Sequence, residues 1–412
     1  MELLGKVLII VENLPVPFDR RVWMEATTLR NNGYHVSVIC PMDATFDKPY
    51  EELEGIHIYR HPLPPETSSV GGYLREYFSA LSWEFRLARR VWREQGFDVV
   101  HICNPPDLIF IVAAWFKFFK RAAVIFDHHD LNPELYEAKY DRRDIFYHAL
   151  RIAERLTFAT ADTVISTNQS YRQVALERGK KDSSDVFVVR SGPDLSRFCA
   201  TQKNDLYRRG RTYLVGYVGV MGEQEGIEYL LEAVRYLVHE CDRYDTHFML
   251  IGSGPVLDQL KLASRELGIE EYVEFTGRVS NEELLERLSS CDLCVNPDRK
   301  NKLNDYSTMN KIMEYMALGK PIVQFDLLEG KRSAAGASLY AEPNNSVDFA
   351  DKLVELLASP ERREAMASEG RNRMTQELEW RHQIPKLLAA YRRVMEKGSM
   401  VVQAKRSMEI VD

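Results

Sequence analysis

Short apolar runs recur along this chain with an amphipathic segment between each and the next, and the alternation stops once and then restarts. In the first half KVLIIV, YHVSVICP, IHIYRHP, DVVHICN, AAVIFDHHD, DTVISTN and DVFVVRSGPD read as strands. Helical segments separate them: RRVWMEATTLRNNG closing at Gly33, one from about Gly72 to Gln95, and others around 107–119, 143–160 and 169–178. Apolar strands joined by helices pair side by side in a parallel sheet covered on both faces. At 199–211 (CATQKNDLYRRGR) the sequence turns polar and reads as a linker. YLVGYVG, THFMLIGSGP, VEFTG, LCVNP and IVQF then resume the pattern, with helices near 226–239, 256–267 and 281–290 and another in STMNKIMEYMALGKP. Helices at 348–358, 360–376 and after Trp380 complete the chain.

The expected fold class is therefore α/β, with two doubly wound parallel-sheet domains at 1–198 and 212–378. A helix at 379–396 is expected to pack back toward the first domain, followed by a flexible tail at 397–412. A chain of 412 residues is too long for one compact core, which also favours two domains. Ligands in such folds sit at the carboxyl ends of strands, and a cleft between two such domains is the natural place for a site.

Composition excludes several classes. A net charge of −7 argues against bulk nucleic-acid binding. The longest apolar run, LIFIVAAWF at 108–116, falls far short of the roughly 20 residues that span a bilayer. Of six cysteines only Cys291 and Cys294 are close, in an apparent strand that would turn residues three apart to opposite faces, so no zinc site is expected. With no signal peptide apparent, these cysteines suit a reducing cytoplasm.

Four strand-end loops carry the candidate chemistry. In STMNKIMEYMALGKPIV (307–323), Ser307 or Thr308 would cap a helix whose N–H groups and positive dipole end suit an anion. Ser307, Asn310 or Lys311, and Glu314 fall on one face, with Met313, Met316 and Ala317 on the other. Two readings stay open: Glu314 takes two sugar hydroxyls, or it is a surface carboxylate paired with Lys311. VGYVGVMGEQEGIEYLLEA has Gly216, Gly219, Gly222 and Gly226, and IGSGP adds Gly252. Glycines let a backbone approach phosphate, although the spacing is not that of a dinucleotide oxidoreductase. FDHHDLNPELY sets Asp127, His128, His129 and Asp130 just past a strand, where a His–Asp step is functional or structural. Further metal ligands do not appear at suitable spacing, so no metal is expected. ENLPVPFDRRVW has no glycines; Arg20 and Arg21 at its helix start would bind a diphosphate bidentately or remain solvated.

MNKIMEYMALGKPIV, DTVISTNQSYRQVALERG, VVRSGPDLSRF, IGSGP and VEFTGRVSNEELLERLSSCDLCVNP together resemble, in this order, the GT-B glycosyltransferases of family 4. DRRVW, FDHHDL and NKIMEYMALGKP resemble the branch acting in bacterial O-antigen and exopolysaccharide assembly. The resemblance implies two Rossmann-like domains, a nucleotide-sugar donor (UDP-sugar first) on the second and an acceptor on the first. It also implies retention of anomeric configuration by front-face transfer, with no cofactor or metal required. Glu314 would bind the donor ribose, His129 would lie near the transferred sugar with Asp130 orienting it, and the Arg278–Val279 backbone would lie along the base.

Three departures accompany the resemblance. The family's first glutamate falls on Tyr306, with Asp305 the nearest carboxylate; its diphosphate-gripping Arg and Lys fall on Val220 and Glu225; and its glycine-rich first loop is the Pro/Arg loop. Hydrogen bonds to charged groups contribute about 1.5–3 kcal/mol each. Losing two would cost about 3–6 kcal/mol, two to four decades of donor affinity. Lys311, with Arg299 or Lys302 and with Arg20, Arg21 or His128 from the first domain, is the expected replacement.

The segment 72–96 gathers Leu74, Tyr77, Phe78, Leu81, Phe85, Ala88, Val91 and Trp92 on one stripe among arginines, and WFKFFKR (115–121) mixes aromatics with bases. Either they form a core stripe with a solvated basic face, or they lie on an anionic membrane beside a lipid-linked saccharide acceptor. The leading expectation is a cytoplasmic or peripherally membrane-bound polysaccharide glycosyltransferase. The alternatives are a catalytically weak sugar-nucleotide-binding scaffold and another GT-B-shaped enzyme such as a sugar-nucleotide epimerase.

Overall fold

The computed structural model describes residues 3–63 and 70–409, and the side chains among them except 70–77 and 398–409. The side chains of Leu74 and Tyr77 of the expected stripe, of Arg75 beside it, and of the expected tail beyond Lys397 lie outside that description. The chain forms two compact units: Met1–Arg190 with Gln383–Asp412, and Ser191–His382.

Unit 1 contains β1 (Gly5–Ile10), α1 (Arg20–Asn31), β2 (Tyr34–Pro41), β3 (Tyr50–Leu53), β4 (Ile56–His61), α2 (Val70–Glu94), β5 (Val99–Cys103) and α3 (Phe110–Lys120). It continues with β6 (Ala123–His128), α4 (Asn132–Tyr140), α5 (Ile145–Thr160), β7 (Thr163–Ser166), α6 (Gln169–Glu177) and β8 (Val186–Val188). The strand order is β3-β4-β2-β1-β5-β6-β7-β8. Only the edge strand β3 runs antiparallel, closing a hairpin on β4 through the left-handed pair Glu54 and Gly55. The connections reverse direction at β1, so the switch point lies at the carboxyl ends of β1 and β5, and β6 pairs beside β5. Helix starts match local chemistry: Asp19, Asp144 and Asn168 each accept hydrogen bonds from first-turn N–H groups, caps that contribute about 1 kcal/mol apiece.

From Phe85 onward the apolar stripe of α2 turns inward, whereas Phe78 nearer its start is 73% exposed. Ala88 and Val91 are buried, Phe85 meets Trp115 edge-on, and Trp92 packs on Phe97. Of the two readings, the core stripe holds for Phe85 to Trp92. Exposed apolar surface in this region comprises Phe78 of α2 together with α3 and α5, where Phe118 is 78% and Ile145 77% exposed and Ile111, Phe119 and Ile152 are also open. Lys117 ties the two helices' ends together by donating to Thr160 and pairing with Asp162 at 2.6 Å.

Unit 2 contains β9 (Tyr213–Val218), α7 (Ile227–His239), β10 (Thr246–Ile251), α8 (Leu257–Glu266), β11 (Val273–Gly277), α9 (Asn281–Ser290), β12 (Leu293–Asn296), α10 (Lys302–Tyr306) and α11 (Asn310–Ala317). There follow β13 (Ile322–Phe325), α12 (Leu328–Ala334), β14 (Ser338–Ala341), α13 (Ser346–Leu357), α14 (Pro360–Arg373) and the start of α15 (Trp380–Glu409), which continues into unit 1. The sheet is wholly parallel in the order β11-β10-β9-β12-β13-β14, with its switch point at the ends of β9 and β12. One face buries Leu230 and Val234 of α7 with Phe349 and Leu353 of α13; the other buries Ile312, Met313 and Met316 of α11.

The polar stretch 199–211, read above as a linker, is part of unit 2. Thr201 and Asn204 donate from their backbones to Ser289 and Ser290 at the end of α9, and Arg208 pairs with Asp292. The two close cysteines do not face apart. Cys291 precedes β12 rather than lying in it, and a Cβ on Gly216 would come within 2.5 Å of its Sγ and 3.4 Å of that of Cys294. No helix among the described residues is long and apolar enough to cross a membrane.

Candidate active site

In unit 1 the site grows from the end of β6. Side chains two apart leave a strand on one face, so Asp127 and His129 emerge together while His128 turns the other way. His129 Nε2 lies 2.6 Å from Asp127 Oδ2. Asp127, not Asp130, is thus the carboxylate on the histidine ring. Asp130 is held through its backbone: its N–H donates to Asn104 Oδ1, and its carbonyl accepts from Asn104 Nδ2 at 2.8 Å. Asn104 Oδ1 also takes the His129 N–H at 2.8 Å, so one side chain after β5 fixes the whole turn.

Arg21 is buried rather than offered to a ligand. Its guanidinium donates to both oxygens of Asp127 at 2.8 and 2.9 Å and to the Val189 carbonyl at 2.9 Å, and its Nε lies 3.0 Å from His129 Nε2. Burial alone would raise Asp127, but the charges of Arg21 and His129 outweigh it and hold the carboxyl well below its ordinary value. Arg20 stays on the exposed side of the helix start.

His128, expected as a ligand contact, is a core residue. Its ring packs against Phe126, Phe158 and Tyr171, both ring nitrogens are without a hydrogen-bond partner, and burial drives its pKa down to about 3.

Behind this pair lies a buried cluster that periodicity did not reveal: Glu25, His101, Cys103 and, from α15, Tyr391. Among the described residues His101, Cys103 and Asp127 are the group close enough to hold a metal. They do not fit one. Both Asp127 oxygens already receive Arg21, and burial raises the Cys103 thiol well above its ordinary value, away from the thiolate a metal needs.

In unit 2 the loops after β9, β10 and β12 converge, and glycines make that possible. Gly252 has φ +139°, and a Cβ there would lie 1.9 Å from the Gly219 carbonyl oxygen. Gly226, at φ +60°, would press a Cβ to 2.2 Å from the Pro297 oxygen. Gly222 is looser, since an added Cβ would first meet the movable Glu225 carboxylate at 2.6 Å. Gly219 and Gly252 therefore knit loop to loop; close approach to phosphate is not needed to explain them. The Gly252 N–H also donates to the Gly277 carbonyl at 3.0 Å, leaving Arg278 exposed and Val279 half-buried at the end of β11.

At this switch point stands Lys311. Its ammonium is 3.0 Å from Asp298 Oδ1, 3.4 Å from the Tyr217 hydroxyl, and 4.8 Å from the centre of the Tyr217 ring. Burial alone would lower its pKa, but Asp298 outweighs that and keeps the amine charged. A Cβ on Gly219 would come 3.4 Å from Lys311 Nζ, so the lysine lies directly against the β9 loop. Arg299 pairs with Glu228 at 3.3 Å.

The helix carrying Glu314 differs from expectation at its start. α11 begins at Asn310 with Met309 in the cap position and no side-chain cap, whereas Ser307 ends α10, its hydroxyl donating to the Leu303 carbonyl; Thr308 lies in the connection. Ile312, Met313, Tyr315 and Met316 are buried, leaving Asn310, Lys311 and half-buried Glu314 on the remaining face. Asp305 is committed elsewhere, accepting the Leu328 N–H at 2.8 Å.

Two family models match: "Glycosyl transferase 4-like domain" over residues 19–192 and "Glycosyl transferases group 1" over residues 212–359. The chain belongs to the GT-B glycosyltransferases of family 4. Among curated relatives, an alpha-D-kanosaminyltransferase of Streptomyces kanamyceticus is 29% identical over 37% of this chain and 39% of that protein. An uncharacterised glycosyltransferase of Methanocaldococcus jannaschii is 24% identical over 72% and 73%. Among solved structures, sucrose-phosphate synthase from Thermosynechococcus elongatus superposes with a TM-score of 0.77 at 17% identity, covering 95% of this chain and 99% of that one. Anabaena HepE, solved with UDP and glucose, gives 0.71 at 16% identity over 96% and 100%. These structural likenesses carry the fold.

Proposed function

We propose that this chain is a retaining, metal-independent glycosyltransferase that moves a sugar from a nucleotide-sugar, UDP-linked first, to a lipid-linked saccharide in cell-surface polysaccharide assembly. The observation that carries the donor reading is Lys311, a charged lysine locked at the switch point of unit 2 beside the β9 loop and one helical turn from Glu314. That is where a diphosphate leaving group would develop charge and Glu314 would reach a ribose. The carboxylate–histidine pair of unit 1, Asp127 and His129, supplies the group near the transferred sugar. HepE, solved with UDP and glucose, supports a uridine donor; a GDP-mannose-dependent relative of Mycobacterium tuberculosis, 26% identical over 53% of this chain, makes guanosine the competitor. The exposed apolar and basic surface of α3 and α5 suits a peripheral place on an anionic membrane, which fits a lipid-linked acceptor.

One observation favours the scaffold reading. Lys311 is already neutralised by Asp298, and Glu225 rather than a lysine lies in the adjoining loop. A thermal-shift panel with UDP, GDP and ADP on the wild type and Glu314→Ala tests the donor site, and release of free nucleotide in the presence of acceptor separates enzyme from scaffold. A midpoint raised by one nucleotide and lost in the variant is the expected result. No shift from a well-folded wild type would overturn the donor-site reading.

A further inference from the structure

The buried cluster behind His129 is joined to the far end of the chain. Tyr391, from the part of α15 in unit 1, lies 290 positions from His101 in sequence, and its hydroxyl is 2.7 Å from His101 Nδ1. Both side chains are fully buried. Burial, reinforced by the nearby Glu25 carboxyl, raises the phenol well above its ordinary value, so the hydroxyl keeps its proton and can donate it to an unprotonated Nδ1. Burial lowers the imidazole, leaving His101 neutral, and the carboxyl oxygens facing Nε2 favour its single proton there, with Nδ1 left to accept from Tyr391. That nitrogen faces Asp127 Oδ2 at 3.6 Å and Glu25 Oε2 at 3.7 Å. Asp127 Oδ2 is the same oxygen that lies 2.6 Å from His129 Nε2.

We propose that Tyr391 is a positioning residue for His129, acting through His101 and Asp127: it fixes the His101 tautomer that turns an N–H, rather than a lone pair, toward the oxygen holding His129. The proposal rests on His129 being the working histidine of the family reading. The charged and titratable groups facing this path are Asp19, Arg21 and Glu25 at α1, Cys103 of β5, Asp127 and His129 at β6, and Tyr34 of β2. Arg21, His129 and the His101 N–H stabilise the Asp127 charge, while burial and Asp127 drive the Glu25 carboxyl beside it well above its ordinary value. If the His101 proton moved to Nδ1, Asp127 would lose one of these and attract the His129 proton more strongly.

Tyr391→Phe removes one oxygen and keeps the ring that meets Tyr34 edge-on at 5.5 Å. In the full-length chain labelled with nitrogen-15 histidine, ring-nitrogen shifts report tautomer and titration for each of ten histidines, with His101→Phe and His129→Gln giving the assignments. The wild type is expected to hold His101 as the Nε2–H tautomer. Tyr391→Phe is expected to release that tautomer and raise the His129 midpoint by about half a pH unit or more. His101→Phe, which empties the middle of the path, should move the His129 midpoint the same way and decides the matter if Tyr391→Phe does not fold. An unchanged His129 midpoint in a folded variant, or an Nδ1–H His101 in the wild type, overturns the proposal. No substrate enters the measurement, so its outcome is separate from that of the nucleotide panel.

Discussion

His128→Phe tests the division of labour inside FDHHD. The wild-type imidazole is buried among Phe126, Phe158 and Tyr171 with both nitrogens unpartnered, and its pKa falls from 6.5 to about 3. The unfolded chain takes up a proton there near pH 6.5 and the folded chain does not. Stability from this residue is therefore complete above that value and is lost as pH falls toward about 3. Integrating between the two states gives a loss of about 2 kcal/mol at pH 5 and almost nothing at pH 7.5, within a ceiling of about 5 kcal/mol. The pH 5 figure depends on the unfolded value as long as the folded one stays below about 4. Phenylalanine cannot titrate and loses no hydrogen bond, so its unfolding free energy relative to wild type should improve by about 2 kcal/mol between pH 7.5 and pH 5. Urea unfolding followed by tryptophan fluorescence reads this mainly in unit 1, which holds Trp23, Trp83, Trp92 and Trp115 but not Trp380. Comparing variant with wild type cancels the other titrations. If both proteins respond identically to pH, His128 is protonated or solvated in the folded state, and its assignment to the core is wrong.

Two further perturbations address the donor half-site and the surface. Lys311→Met leaves Asp298 buried without its partner, so unit 2 should lose about 3–5 kcal/mol of stability; adding Asp298→Asn should restore most of it. Nucleotide-induced thermal shifts should be absent from both the single and the double variant, and a full shift in the stable double variant would show that Lys311 does not grip the donor. Phosphatidylglycerol-containing vesicles should carry part of the protein upward in a flotation gradient at low salt, less at high salt, and less again for Phe118→Ser with Ile152→Ser. Equal flotation of that pair and the wild type would remove the α3–α5 face as the contact.

What could be read in advance followed from burial. Strands enclosed on both faces must be apolar throughout, so KVLIIV, THFMLI and IVQF announce themselves, and the helices between them carry regular stripes. The elements missed are those with too little apolar side chain to make a pattern: the four-residue edge strand β3 (YEEL), and the short elements α4, α10, α12 and β14. The hairpin had one signal, an E-G step between two β-prone runs. At the site, the motif resemblance singled out His129 and Glu314, and the missing Arg and Lys pointed to Lys311, but neither told what each touches. Alternation along β6 was enough to separate His128 from Asp127 and His129; the attractive adjacency of His129 and Asp130 obscured it. Arg21 meeting Asp127, Lys311 meeting Asp298, and Tyr391 meeting His101 are contacts made by the fold, over 106, 13 and 290 positions, and no local period encodes them.

The electrostatics of the donor half-site follow from that last kind of contact. A lysine with a free ammonium attracts phosphate by net charge, an attraction that salt screens. Lys311 is paired with a buried carboxylate, so the pair carries no net charge, and Glu225 in the neighbouring loop adds a negative one. What the pair offers is orientation: an ammonium held by Asp298 and Tyr217 spends little entropy when a third acceptor arrives. Donor affinity built in this way comes from hydrogen bonds of fixed geometry and from backbone N–H groups at the start of α11, more than from a positive field. On the proposed reading, the exchange of the family's Arg and Lys for Val220 and Glu225 would change the means of holding the diphosphate, from charge toward geometry. Binding of this kind should depend only weakly on ionic strength, whereas a compensating cluster of free arginines would make it steeply salt-dependent.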